Sequence, residues 1–142
     1  MARRLRVLVA DDHEAHRRLL NDLLTALGCA VTTVCDGEHA IAAAGPFDLV
    51  CLDRHMPGMG GEAVARRLWG TAYLVACTSH PDGLGPDFNA VVAKPFRCRD
   101  LAQIVEAARK WRPAQSDAHT YRAAASTPCA AASPVAKHAC RR

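Results

Sequence analysis

The chain has 142 residues, half of them apolar and only 5% aromatic, so its length suits one compact domain with a short extension. No apolar run approaches the roughly 20 residues of a membrane helix, and the apolar stretch after the basic N terminus is too short for a signal-peptide core. The formal charge is +4, but residues 113–142 hold four basic residues against one acidic residue, which leaves +1 for the first 112. A membrane, secreted or nucleic-acid-binding protein is therefore disfavoured, and we expect a cytoplasmic one.

Short apolar runs alternate with helical repeats along the first 112 residues. A helix is indicated where leucines recur at three- and four-residue spacing from Leu19 to Leu27, with Gly28 at the position of a C-terminal cap. The other segments follow from apolar runs, turn residues and alanine-rich stretches. The predicted strands are Leu5–Ala10, Ala30–Val34, Leu49–Leu52, Tyr73–Cys77 and Val91–Ala93, and the further helices are Glu38–Ala44, Glu62–Trp69 and Arg99–Trp111.

This alternation predicts an α/β domain with a doubly wound, five-stranded parallel sheet. The strands are continuously apolar, as expected for a sheet that is covered on both faces. We place this domain at residues 1–112. Residues 113–142 are rich in Ala, Ser, Thr and Pro without an apolar period, which predicts a disordered tail.

Reactive side chains follow the predicted strands at the point where each one ends. Asp11 and Asp12 follow the first strand, Asp53 the third, Thr78 the fourth and Lys94 the fifth. Because the carboxyl ends of parallel strands meet at one edge, these side chains should converge there. Close carboxylates bind a hard divalent cation such as Mg²⁺, and a carboxylate can also attack phosphorus to give an aspartyl-phosphate. An ammonium and a hydroxyl would stabilise the charge of a transferring phosphoryl group.

The motifs at these strand ends together resemble those of response-regulator receiver domains of two-component signalling systems. The resemblance covers about residues 5–112. It is carried by Asp11-Asp12, by Leu-Asp-Arg-His-Met-Pro-Gly-Met at 52–59, by Thr78-Ser79 and by Lys94-Pro95-Phe96. It implies a flavodoxin-like fold and phosphotransfer from a sensor histidine kinase or a histidine phosphotransfer protein. Such a domain assists its own phosphorylation and dephosphorylation and is not an enzyme.

The resemblance also implies the metal site. Asp53 would be the phosphoacceptor. Asp12 and Asp53 would bind Mg²⁺ directly, with the backbone carbonyl of His55 as a third ligand. Asp11 would act through a metal-bound water.

Three further roles follow from the same resemblance. Thr78 would donate a hydrogen bond to the phosphoryl group, and Lys94 would pair with it. Pro95 would follow a cis peptide bond. His55 and His80 would border the site and tune how fast the phosphate is lost.

Each of these residues also has an ordinary structural explanation when it is taken alone. Asp12 would commonly cap the first helix, Thr78 would cap a turn, and Lys94 would be a surface lysine. Their occurrence at successive strand ends, in one order, favours the functional interpretation.

The motifs favour a stand-alone receiver that accepts a phosphoryl group and signals through protein contacts or shuttles phosphate. Two other functions are alternatives. A pseudo-receiver would keep the fold and bind a partner without phosphorylation. A haloacid-dehalogenase-like phosphohydrolase would place a second Asp two residues after the nucleophile, where this chain has His55. No DNA-binding domain is expected, and the sequence does not identify the downstream protein.

The chain departs from the family pattern between the fourth and fifth strands. Only residues 79–89 are available there, and Pro81, Gly83, Gly85 and Pro86 oppose helix formation. We therefore expect the helix that receivers usually carry in this connection to be shortened or absent. Val91 also occupies a position where receivers often have an aromatic ring that turns inward on phosphorylation.

Overall fold

The computed structural model describes residues 3–113, which form a three-layer α/β structure around one sheet. All strands are parallel, and their order across the sheet is β2-β1-β3-β4-β5. This is the strand order of flavodoxin-like folds. The strands are β1 Arg6–Ala10, β2 Ala30–Val34, β3 Leu49–Asp53, β4 Tyr73–Thr78 and β5 Ala90–Ala93. The predicted doubly wound five-stranded sheet is confirmed.

Four helices flank the sheet in the described part of the chain. They are α1 Glu14–Ala26, α2 Gly37–Ala42, α3 Gly61–Leu68 and α4 Cys98–Lys110. Each of them overlaps the helix predicted from sequence. No helix within residues 3–113 is both long and apolar enough to cross a bilayer. The prediction of a disordered tail concerns residues that, apart from Pro113, lie outside the described part.

The core consists of two apolar layers, one on each face of the sheet. Leu20 and Leu24 of α1 and Leu101 of α4 pack on one face, whereas Val64 and Ala65 of α3 pack on the other. All five residues of the central strand β3 are buried, because helices cover both of its faces. This explains why the strands appear in the sequence as unbroken apolar runs instead of alternating ones.

The connection between β4 and β5 contains no helix, as predicted. Residues 79–89 form turns, and Asn89 fixes their end to the sheet. The backbone N–H of Asn89 donates to the Leu74 carbonyl at 2.7 Å, and the Leu74 N–H donates to Asn89 Oδ1 at 2.7 Å. Val91 of the following strand β5 is 43% exposed.

Gly28 ends the first helical segment in a left-handed conformation, with φ of 90°. An added Cβ there would meet no atom within 4 Å, so the cost of a side chain is backbone strain alone. We expect Gly28→Ala to lower the free energy of unfolding by about 1 kcal/mol. Gly85→Ala is the matched control, because Gly85 has equal space and no positive φ, and it should be neutral or slightly stabilising. Urea denaturation of both variants checks this, and an equal loss in both would contradict it.

Candidate functional site

The carboxyl ends of four adjacent strands bring the predicted reactive residues to one edge of the sheet. Asp53 is the last residue of β3 and pairs in register with Cys77, one residue before Thr78 ends β4. Thr78 in turn pairs with Ala93, and Lys94 follows directly. On the other side of β3, Leu52 pairs with Ala10, after which come the two neighbouring aspartates. The predicted convergence therefore follows from the strand register.

The Lys94 ammonium lies at the centre of this edge. It donates to Asp11 Oδ2 at 3.1 Å, to Asp53 Oδ1 at 3.3 Å and to His16 Nδ1 at 3.0 Å. An ammonium has three N–H donors and no acceptor, so all three are used. Its side chain is only 10% exposed, and the side chains of Asp11 and Asp53 are 1% and 9% exposed. The ion pairs are consequently shielded from water, which strengthens them.

Two carboxylates contact this ammonium, and a third, that of Asp12, lies beside them. Oxygens of Asp11, Asp12 and Asp53 all lie within 4.8 Å of one another. Three negative charges and one positive charge leave an excess of two negative charges. Burial, followed by the negative charge of Asp11, raises the pKa of the Asp53 carboxyl above its usual range, although Lys94 opposes both effects.

This donor set fits a hard divalent cation. It offers carboxylate oxygens only, at a spacing that one small ion spans, and it carries the charge that such an ion would neutralise. Burial raises the pKa of Asp53 most, and the negative charges of Asp11 and Asp12 raise it further, so the charged form of this carboxyl is disfavoured. The residues present therefore match the Mg²⁺ that the sequence led us to expect.

Other predicted site residues lie beside the carboxylates. Thr78 is buried, and its side-chain oxygen accepts a hydrogen bond from the His80 N–H at 3.0 Å. His55 is exposed in the loop after β3, with its ring 6.3 Å from that of His80. The peptide bond between Lys94 and Pro95 is cis, as the resemblance implies. Asp12 does not cap the first helix, because the N-cap of α1 is His13, without a side-chain hydrogen bond.

Two residues of this edge were not among those predicted from sequence. His16 lies in the first turn of α1 and accepts from Lys94, and Arg54 follows the central aspartate and binds the β4–β5 loop. The position of His16 in the sequence could have indicated that it lies at this edge. It stands four residues after Asp12, so a helix that begins beside the strand end carries it back over the sheet edge. No local pattern indicates the contacts of Arg54.

Gly61 allows the start of α3 to approach the end of β3. Its N–H donates to the Arg54 carbonyl at 3.1 Å, and a Cβ at this position would collide with the Asp53 carbonyl oxygen. A side chain at residue 61 would therefore displace the backbone that carries the central aspartate. The Gly-rich stretch after Pro57 thus serves the geometry of the site as well as forming a loop.

A flavodoxin-like sheet with an acidic cluster and a lysine at its carboxyl edge defines the class of this domain. Residues 7–106 match the family described as the response regulator receiver domain, and the chain therefore belongs to that family. Receiver domains are signalling domains of two-component systems, which confirms the resemblance found in the sequence.

Relatives differ in how much of their length the chain spans. It is 35% identical over 108 residues to the transcriptional regulatory protein TcrA of Mycobacterium tuberculosis, which covers 68% of this chain and 43% of that protein. It is 37% identical over 116 residues to the sensor histidine kinase GacS of Pseudomonas protegens, covering 70% of this chain and 13% of that protein. It is also 38% identical to the two-component response regulator ORR41 of Oryza sativa, covering 72% of this chain and 90% of that protein.

Solved structures agree with the fold. Response regulator TrrA from Thermotoga maritima, determined in complex with Mg²⁺ and BeF, has a TM-score of 0.68 at 30% identity. The match covers 73% of this chain and 98% of that one. The receiver domain of a sensor histidine kinase from Pseudomonas aeruginosa, with a magnesium ion in its active-site cleft, has a TM-score of 0.66 at 22% identity. That match covers 77% of this chain and 100% of the other.

Proposed function

We propose that this receiver accepts one phosphoryl group on Asp53, in a Mg²⁺-dependent way, from a sensor histidine kinase or a histidine phosphotransfer protein. The observation that carries the proposal is the position of the Asp53 carboxylate. It is buried, it lies within 4.8 Å of two other carboxylates, and it is 3.3 Å from a lysine ammonium. The membership of this chain in the receiver family supports the same chemistry.

The transfer makes one bond and breaks one bond. An oxygen of Asp53 attacks the phosphorus of a phosphohistidine, a P–O bond forms, and the P–N bond to the imidazole breaks. The leaving imidazole takes up a proton. Lys94 then pairs with the phosphoryl oxygens, and the Thr78 hydroxyl donates to one of them, so that both stabilise charge that develops during transfer.

Asp11, Asp12 and Asp53 would hold Mg²⁺, with the His55 backbone carbonyl as a further ligand. When bound, the ion neutralises the excess charge of the carboxylates and of the incoming phosphoryl group. Relatives of this domain support the choice of metal, because structures of two of them contain magnesium. His55 and His80 would control access to the phosphorylated site from the solvent side.

We further propose that residues 1–112 form the receiver and that residues 113–142 form a separate tail. The domain would act in the cytoplasm by changing its contacts with a downstream protein. Receivers usually have a helix between their fourth and fifth strands, and this chain has a loop there, so the loop is the surface at which such contacts would differ from the family pattern.

Incubation with Mg²⁺ and acetyl phosphate, followed by intact-mass measurement, tests the proposal. We expect the mass to rise by one phosphoryl group and the increase to disappear when EDTA removes the metal. Acetyl phosphate replaces the kinase, so the test does not depend on knowing the natural donor. No increase at any Mg²⁺ concentration would favour the pseudo-receiver, which binds its partner without phosphorylation.

A further inference from the structure

Arg54 follows Asp53 in the sequence, and its side chain binds the β4–β5 loop, the connection in which receivers usually have a helix. Its guanidinium donates to three backbone carbonyls of that loop: from Nη1 to His80 at 2.9 Å and to Asp82 at 2.8 Å, and from Nη2 to Gly83 at 3.1 Å. The Arg54 side chain is 19% exposed, and the Glu62 carboxylate lies 3.5 Å from Nη2. The Arg54 side chain therefore binds the first half of residues 79–89, a segment without helical hydrogen bonds.

The same loop also supplies a hydrogen bond to the Thr78 side chain. His80, whose carbonyl accepts from Arg54, donates its own N–H to the Thr78 side-chain oxygen at 3.0 Å. A hydroxyl has one proton and two acceptor sites. Because the His80 N–H occupies one acceptor site, the hydroxyl proton remains to be donated to another group. A path of direct contacts thus runs from Arg54 through His80 to Thr78.

We propose that Arg54 is a positioning residue for phosphoryl transfer, acting through His80 to orient the Thr78 hydroxyl. The inference rests on the proposed function of Asp53. In this arrangement Arg54 does not touch the phosphoryl group. It holds the loop so that the His80 N–H meets the Thr78 oxygen and the hydroxyl proton points to the site.

The chemistry of arginine suits this task. Its planar guanidinium has five donors in a fixed fork, whereas a lysine ammonium is a single point on a flexible stem. Three carbonyls from residues 80–83 can therefore be bound at once by one preorganised group. Further along the loop, Asn89 is hydrogen-bonded to β4 and Asp87 forms an ion pair with Arg66 at 3.6 Å. Neither of these two contacts involves residues 80–83.

A double-mutant cycle with Thr78→Ala tests the inference. Initial rates of phosphoryl uptake from acetyl phosphate with Mg²⁺ are measured by intact mass for both single variants, the double variant and the wild type. We expect Arg54→Gln to slow uptake about tenfold, the equivalent of about 1.4 kcal/mol in barrier height. In the Thr78→Ala background the same change should slow it by less than about twofold, because the hydroxyl through which Arg54 acts is absent.

Glu62→Gln is the control. It removes the ion pair with Arg54 and leaves the three loop hydrogen bonds, so uptake should match the wild type. Arg54→Lys should take up the phosphoryl group faster than Arg54→Gln but more slowly than the wild type. If Arg54→Gln does not fold, the double-mutant cycle is run with Arg54→Lys instead.

Each outcome has a separate meaning. An unchanged rate in the Arg54 variant, or an equal loss in both Thr78 backgrounds, overturns the positioning role and leaves the proposed function standing. A wild-type chain that takes up no phosphoryl group overturns the proposed function, and the role of Arg54 in transfer with it.

Discussion

Asp53→Asn is expected to abolish phosphoryl uptake and to make the cation-free fold more stable. An amide lacks the nucleophilic carboxylate, so intact mass should show no increase in conditions where the wild type is fully converted. The same change removes one of two buried carboxylates, which lie beside the exposed Asp12, while Lys94 keeps its partner Asp11. The melting temperature at neutral pH without Mg²⁺ should therefore rise by a few degrees.

The stability gain should depend on pH with a definite sign. Burial and the charge of Asp11 raise the pKa of Asp53 in the folded state above its unfolded value. The wild type therefore keeps the full contribution of this group at pH values below the unfolded pKa and loses it as pH rises through the folded pKa. The advantage of Asn over Asp should shrink as the pH falls through the raised pKa toward the ordinary pKa of an aspartate.

Asp48→Asn is a control in which the stability should change in the opposite direction. Hydrogen bonds from the Arg3 side chain lower the pKa of Asp48, which lies at the other edge of the sheet. This group stabilises the fold above its unfolded pKa and loses that contribution as pH falls. The variant should lose stability at neutral pH and retain full phosphoryl uptake. If Asp53→Asn still gained the phosphoryl mass, the assignment of Asp53 as phosphoacceptor would be wrong. If both variants changed stability in the same direction, the opposite pKa shifts of Asp53 and Asp48 would be contradicted.

Lys94→Met is expected to slow phosphoryl uptake by a factor of about 100 or more and also to weaken the fold. The ammonium is the common partner of Asp11, Asp53 and His16, and its side chain is 10% exposed. Removing it leaves two buried carboxylates without a cation, which should lower the free energy of unfolding by about 3–5 kcal/mol. Uptake kinetics by intact mass and urea denaturation measure the two effects.

Added Mg²⁺ should restore part of the lost stability. A cation that binds only the folded state stabilises it by mass action, and the carboxylate cluster is still present in this variant. Uptake should remain slow, because the pairing with the phosphoryl group is gone. Lys110→Met, at an exposed position in the last turn of α4, should change neither quantity. Wild-type uptake rates in Lys94→Met would show that this lysine has no part in the transfer.

The sequence by itself determined the fold and the position of the candidate site. Continuous apolar runs at strand positions and alanine- or leucine-rich helical repeats are local patterns, so the ends of the strands and of the last three helices could be predicted to within two residues. The leucine repeat from Leu19 indicated the first helix but did not locate its start at Glu14. The identity of the site followed from a rule of topology. Parallel strands bring their carboxyl ends to one edge, so residues such as Asp53 and Lys94, 41 positions apart, could be placed together from the sequence alone. The shortage of chain between β4 and β5 likewise predicted the missing helix.

Only the tertiary structure decided which side chains contact one another at that edge. Distances of about 3 Å between segments far apart in the chain produce the three hydrogen bonds of Lys94 and those of Arg54 to residues 80–83. The raised pKa of Asp53 likewise depends on its neighbours in the fold. Periodicity and composition report which face of an element is buried, and they carry no information at that resolution. Arg54 appears in the sequence as an ordinary charged residue after a strand. Its role becomes visible only because the fold brings the carbonyls of a loop without helical hydrogen bonds to its guanidinium.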